Sequence, residues 1–340
     1  MYQHSLQAAA RTTVIWISID GMRGDYVQRG EFPFFVRLRR EAATTDKLRP
    51  VFPSITFPSH CSEATGVTVE KHGITANAFY DAATKTQYSY PNDSSLLQAE
   101  PIWLTAQRQG VRTAVLDWPL SFAQKGPIRT EIFDEKFEFA MPDEQRLNRL
   151  LDAWSASLAK ADPVPLHLLM GYVIATDKPG HNNGPDSPEI LQAMITLDAQ
   201  LAKFSERAVE LWKRQRKTPE DRLFFVFSTD HGMSTVKTLL YSYRVALTGI
   251  HLLTTGDLEP NLSILAPRYR FHDVAELIDR KRAGTEHGHI DPALDEHHRT
   301  RWPKLEELLA EAEHDSILPT QPPNHLEIDD WLIALRLSQV

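Results

Sequence analysis

The 340-residue chain has a single cysteine, Cys61, which rules out an intramolecular disulfide framework and leaves the redox compartment open. Nowhere does an apolar stretch approach the length of a membrane span. The amino-terminal MYQHSLQAAARTT is too polar for the apolar region of a secretory signal. The expectation is a soluble chain with no visible export signal. Nor is there a large excess of charge of one sign. With 24% charged residues and a formal net charge of −8, nothing argues for a sequence-wide field that would gather a nucleic-acid polymer. Internal repeats and low-complexity tracts are also absent.

What the chain does have is three apolar runs that each end in metal-ligand residue types. VIWISIDG ends at Asp20, HLLMGYVIATDKPGH carries Asp177 and His181, and LFFVFSTDHG reaches Asp230 and His231. Such runs read as buried parallel strands, and the carboxyl edge of a parallel sheet is where α/β folds gather their site residues. Five potential ligands therefore converge on one edge. Carboxylate and imidazole ligands without thiolate suit a hard-to-borderline cation such as zinc, and two ions can clamp the attacking and leaving oxygens of a displacement. The pattern reads as a two-metal hydrolase, in which a phosphate-bearing substrate is attracted locally by metals.

Strand and helix signals alternate through the rest of this region. FPFFVRLRREA has the spacing of an amphipathic helix, a short helix is predicted from about Ser59 to Thr65 with Gly66 as its exit, and EPIWLTAQRQG reads as another helix. VRTAVLDWPLS reads as a buried strand with its turn. Strong helical periodicity covers residues 143–160 and 187–216, with Ser187 as the cap before Pro188. Repeated βα units predict an α/β fold with a central, mostly parallel sheet flanked by helices.

A nucleophile fits between Phe52 and Asp81. Thr56 stands between Phe-Pro pairs just before a helix start, where backbone N–H groups and the helix dipole favour a phosphoryl group. Metal coordination would lower its hydroxyl pKa enough to activate it. Ser54, Ser59 and Ser62 are competing hydroxyls, and the alternative for Thr56 is a plain strand or cap residue. Trp103 and Trp118 read as core aromatics, Asp25 and Tyr26 as stabilisers of the turn after Asp20, and His72 as a hydrogen-bonding partner rather than a ligand. Phe79 and Tyr80 are the aromatics placed to stack a nucleobase. Lys178 reads as exposed, with contact to a substrate phosphate as the alternative.

FPSITFPSH followed by ATG, KHGI and NAFYD, together with IDGMRGDY, EPIWLTAQRQGVRTAVLDWPLS, D-x-x-G-H and STDHGM, resembles the nucleotide pyrophosphatase/phosphodiesterase family of the alkaline phosphatase superfamily. These linked motifs run in order from about Thr13 to Met233. The resemblance implies an alkaline-phosphatase-like sandwich and two zinc ions. It makes Thr56 the nucleophile of a phospho-threonine intermediate. Asp20, Asp230, His231 and the Thr56 oxygen would hold one zinc; Asp177 and His181 would hold the other, which presents the hydrolytic water. Asn77 falls where the family sets a side-chain amide against a non-bridging phosphate oxygen. The implied activity is hydrolysis of phosphodiester or phosphoanhydride bonds in a small nucleotide-type substrate.

Two departures stand out. Ser59 occupies a position that is asparagine in the family, with His60 following as it should. In the C-terminal third, GTEHGHIDPALDEHH replaces the family's HGYD-type motif. There His287 is the expected third ligand of the second zinc, with His289 and His325 as alternates. The expectation is a single catalytic domain over residues 10–340, divergent from about residue 235. The alternatives are a phosphonoacetate-type hydrolase of carbon–phosphorus bonds and a metal-binding relative with impaired catalysis.

Overall fold

The computed structural model describes residues 12–318, apart from 46, 82–83, 160–164, 217, 234 and 283–291. By their internal contacts the described residues form two compact units, divided between Gly232 and Met233.

The first unit is built on a parallel sheet. Strands β1 (Thr12–Ile19), β4 (Thr113–Val115), β5 (Leu168–Val173) and β6 (Arg222–Ser228) lie in the order β4-β5-β1-β6, and every pairing is parallel. Alternation along β1 explains how the layers form, because successive side chains leave opposite faces of a strand. Ile15, Ile17 and Ile19 pack into a core with Leu150 and Trp154 of α5 (Asp143–Leu158) and Leu197 of α7 (Pro188–Gln215). Val14 and Trp16 face the other way, into a cluster with Met170, Trp118 and Trp103 of α4 (Ile102–Arg108). Helix α1 (Pro33–Glu41) starts on its proline, and its first two free N–H groups, those of Phe34 and Phe35, donate to the buried carboxylate of Asp198 on α7.

Between these elements come α2 (Thr56–Thr65), the short α3 (Val69–His72) and an antiparallel hairpin of β2 (Ala78–Asp81) and β3 (Thr86–Ser89). Helix α2 begins three residues before the sequence estimate because Pro58 falls in its first turn, where proline's missing N–H has no helical partner to lose. It ends as expected, at Gly66 with φ +69°. Ser187 does occupy the N-cap of α7, but its side chain makes no cap hydrogen bond. The run LFFVFS forms β6, yet it is not a fully buried strand. Phe224 and Val226 are 54% and 38% exposed, because among the described residues β6 is an edge of the sheet. Trp103 and Trp118 are core residues, as read from the sequence.

The second unit is helical among its described residues. Helices α8 (Thr235–Thr255), α9 (Leu262–Arg268), α10 (Val274–Arg282) and α11 (Pro292–His314) enclose their own core, in which Tyr243 packs edge-on to Trp302 and His298 and against Phe271. No described helix is long and apolar enough to cross a membrane.

Candidate metal and phosphoryl site

Four strands deliver side chains to one edge of the sheet: Asp20 follows β1, Asp117 follows β4, Asp177 follows β5, and Asp230 with His231 follow β6. The turn after β1 requires glycine. Gly21 has φ +63°, its N–H donates to Asp230 Oδ1 at 3.1 Å, and a Cβ there would stand 3.0 Å from the Cα of Asp177. Arg23 and Arg29 bind Asp25 and Asp186 beside the buried Tyr26, which ties the loop down.

Asp20, Asp230 and His231 are buried, and one ligand atom from each lies within 4.8 Å of the others. His231 Nδ1 faces the Gly232 carbonyl at 2.9 Å. A carbonyl can only accept, so Nδ1 carries the proton and Nε2 presents its lone pair to the site. That Nε2 is 3.3 Å from Asp20 Oδ1, 3.4 Å from Asp230 Oδ2 and 3.4 Å from Thr56 Oγ1. Asp20 Oδ1, Asp177 Oδ1 and Asp230 Oδ2 are all buried without a hydrogen-bond partner among the described residues. Burial, and then the neighbouring Asp230 and Asp177, push the Asp20 carboxyl well above the ordinary range, while burial pushes Asp230 up to about 8. Bare carboxylate oxygens facing an imidazole lone pair are unfavourable unless a cation or protons lie between them. Separations of 3.3 to 3.4 Å suit ligands sharing one tetrahedral ion at roughly 2 Å each. The residues present fit a divalent cation.

Asp177 and His181 form a second pair. They lie four residues apart on α6 (Asp177–Asn183), with His181 Nε2 3.2 Å from Asp177 Oδ1. His287, His289 and His325 lie outside the described residues.

Thr56 is the first residue of α2, and of the four candidate hydroxyls it is the one lining the cleft over these carboxylates. Ser59 is buried, and Ser62 bonds to His72 at 2.8 Å. His72 thus partners a hydroxyl of α2, as expected. Asn77 also lines the cleft. Its Oδ1 accepts from Phe57 N at 2.9 Å, committing the carbonyl end of the amide and leaving the N–H end to serve the cleft. His60 went unassigned in the sequence beyond its place in the motif. It is wholly buried, donates from Nδ1 to the Thr56 carbonyl at 2.8 Å and accepts at Nε2 from Ser18 at 2.9 Å. Burial drives its pKa down to about 3, so it stays neutral and fixes the first turn of α2 against β1. Its position four residues after Thr56, on the same helical face, was the available signal.

The cleft encloses about 650 Å³, within the range of small-molecule sites. Aromatic lining comes from Phe57 and Tyr90, in edge contact at 5.7 Å, and from Phe122, Phe137 and Phe139. Phe79 and Tyr80 do not line it. Phe79 packs against Tyr88 across the hairpin instead.

The sequence profile of type I phosphodiesterase/nucleotide pyrophosphatase matches residues 14–325. The chain belongs to this family. A Schizosaccharomyces pombe protein named as an uncharacterized pyrophosphatase/phosphodiesterase is 33% identical over 230 residues, 66% of this chain and 45% of the relative. A human bis(5'-adenosyl)-triphosphatase is 31% identical over 230 residues, covering 65% of this chain and 47% of that protein. Human ectonucleotide pyrophosphatase/phosphodiesterase family member 1 is 30% identical over 66% of this chain and 24% of its own length. This family member thus spans about half or less of the length of these curated relatives. Among solved structures, human ectonucleotide pyrophosphatase/phosphodiesterase 5 aligns with a TM-score of 0.57 and 26% identity, over 66% of this chain and 59% of the other. An inactive variant of the murine protein in complex with AMP aligns with a TM-score of 0.57 and 25% identity, over 65% and 57%. The α/β sandwich is therefore the alkaline-phosphatase-like fold of these phosphodiesterases.

Proposed function

We propose that this family member is a two-zinc hydrolase that cleaves phosphodiester or phosphoanhydride bonds in nucleotide-type substrates through a phospho-threonine intermediate. The observation that carries the reading is Thr56 Oγ1 at the first turn of α2, 3.4 Å from His231 Nε2 and in one cleft with Asp20, Asp177 and Asn77. Asp20, Asp230, His231 and Thr56 Oγ1 would hold one ion; Asp177 and His181 would hold the other, with His287 as the proposed third ligand. The ions would supply neutralisation of phosphoryl charge and acidification of coordinated hydroxyl groups and water.

The chain's own residues do the positioning. The start of α2 directs backbone N–H groups and the helix dipole at the phosphoryl group that Thr56 attacks. Asn77 donates to a non-bridging oxygen from an amide already oriented by Phe57 N. His60, held neutral, keeps the Thr56 carbonyl and therefore Oγ1 in place. Such positioning is most of what phosphoryl transfer asks of a protein. Aromatic lining supports a nucleotide, as do relatives named for bis(5'-adenosyl) triphosphate hydrolysis and for a complex with AMP. A two-carbon phosphonate would leave Phe57, Tyr90 and Phe137 without a partner.

The test is metal content per chain together with hydrolysis of bis-p-nitrophenyl phosphate, p-nitrophenyl phosphate and phosphonoacetate, with and without a chelator. Two zinc ions and a chelator-sensitive preference for the diester are expected. Preference for phosphonoacetate, or turnover insensitive to the chelator, would overturn the reading.

A further inference from the structure

Helix α6 carries both residues of the second pair, yet little within the helix holds them. It has only seven residues, Asp177–Asn183, with Pro179 and Gly180 among them, and is too short to be stable by its own hydrogen bonds. The His181 side chain is 69% exposed, so burial does little to place it, and its 3.2 Å approach to Asp177 Oδ1 depends on where the ends of the helix are held. The first end is fixed at the turn after β1. Thr176 Oγ1 donates to the Asp20 carbonyl at 2.8 Å, and the Asp177 backbone lies against Gly21.

The other end is fixed by charge. Helix α6 stops at Gly184, φ +91°, and Asp186 follows shortly after. Asp186 Oδ1 accepts from Arg23 Nη2 at 2.6 Å and from Arg29 Nη2. Both arginines also donate to Asp25, Arg23 Nε to Oδ1 at 2.6 Å and Arg29 Nε to Oδ2 at 2.9 Å. Two carboxylates and two guanidiniums thus close a neutral ring beside Tyr26, each guanidinium carbon lying 5.1 Å from the phenol centroid. Arg29 Nη1 adds a bond to the Pro185 carbonyl at 3.1 Å. The Arg23 side chain is 1% exposed and the other three are between 22% and 33%, a partly buried network in which ion pairs do more than isolated surface pairs. The residues of the first ion do not depend on it. Asp20 and Asp230 follow β1 and β6 closely, and their turns are joined by Gly21 N on Asp230 and Met22 N on Thr229.

We infer that this ring positions the second metal pair, and that Asp186 and Arg29 set how tightly Asp177 and His181 hold a divalent cation. Neither lines the cleft; they are positioning residues that act through α6. The inference rests on the two-ion reading above and adds to it the device that assembles one of the two sites.

The test is a zinc titration of the metal-free protein in competition with a chelator of known affinity, for the wild type, Asp186→Asn, Arg29→Gln and Asp186→Glu. His181→Ala marks which of the two affinities belongs to the second pair. That affinity is expected to fall roughly ten- to hundredfold in Asp186→Asn and Arg29→Gln, the size of a lost outer partner of a metal ligand. The first affinity should stay as in the wild type, and Asp186→Glu should recover part of the loss. Equal weakening of both sites, weakening of the first alone, or no change at either would overturn the positioning role. If the wild-type protein binds a single zinc, it is the two-ion reading that fails, and amide hydrogen exchange in the metal-free proteins decides the ring alone. Faster exchange over residues 177–184 in Asp186→Asn and Arg29→Gln, with β1 and β5 as protected as in the wild type, supports it. Unchanged exchange over that segment overturns it.

Discussion

Thr56 and Asn77 carry the sharpest expectations because each does two things at once. Thr56→Ala removes the proposed nucleophile while leaving α2 and the carboxylates intact. We expect kcat to fall by at least about a thousandfold, with zinc content and thermal unfolding nearly unchanged; retained turnover would remove Thr56 from the mechanism. Asn77→Asp keeps an acceptor for Phe57 N but sets a negative charge against the phosphoryl oxygens. Steady-state kinetics should show a loss of about 10²-fold or more, and far-ultraviolet circular dichroism should show an unaltered fold. At this scale the convergence of the candidate ligands at one sheet edge was legible in the sequence. Asp20, Asp177, Asp230 and His231 could be read because each ends an apolar run, and a strand end fixes where the next side chain goes. Phe57, Tyr90 and Phe137 could not be read as cleft residues, because their placement depends on loop paths that carry no periodicity.

Among the elements, the link between β4 and α5 is the most consequential polar contact. Asp117 stands in the left-handed region at φ +63° and accepts from Arg146, both being 2% exposed. Asp117→Asn keeps a residue tolerated at that φ and an acceptor for Arg146, and removes only the charge that faces the buried guanidinium. Urea unfolding should register a loss of about 3 kcal/mol, toward the low end for a broken buried pair. A second contact sets a pH dependence. Glu63 on α2 accepts from Ser228 of β6 at 3.0 Å, and burial raises its carboxyl from the ordinary value near 4.5 to about 7. Between those values the native state holds a proton that the unfolded chain has released. This contribution is therefore full below about pH 4.5 and is lost as pH rises through about 7. In the chelated protein, Glu63→Gln should flatten the fall in unfolding free energy across that window; an unchanged slope would assign it to other groups. Helices α1, α4, α5 and α7 were legible from apolar periodicity. The partial exposure of β6 was not, since a continuous apolar run reads alike at a sheet's centre and at its edge.

On the scale of the whole chain, residues 233–283 were the least legible, although the signal was present. Leu240, Tyr243, Leu247 and Ile250 recur at helical spacing and form the buried face of α8. The proposed metal site would tie the global stability of the first unit to its ligand. Asp20, Asp177 and Asp230 each hold a buried oxygen that makes no hydrogen bond among the described residues, so a cation that binds only the folded state would stabilise it by RT ln(1 + [L]/Kd), about 2.7 kcal/mol at a hundredfold excess over Kd. Adding zinc to the chelated protein should raise its melting temperature in a concentration-dependent way. The gain should shrink as pH falls, because protons and the metal compete for the same raised carboxyls. Asp230→Asn should abolish most of the zinc response while leaving the metal-free melting temperature at neutral pH nearly unchanged, since the Asp230 carboxyl, pushed up to about 8 by burial, already holds a proton there. His287→Ala should release one zinc of two and leave the first site's response in place. A metal-independent melting temperature in the wild-type chain would show that the bare carboxylates are satisfied by protons and not by an ion.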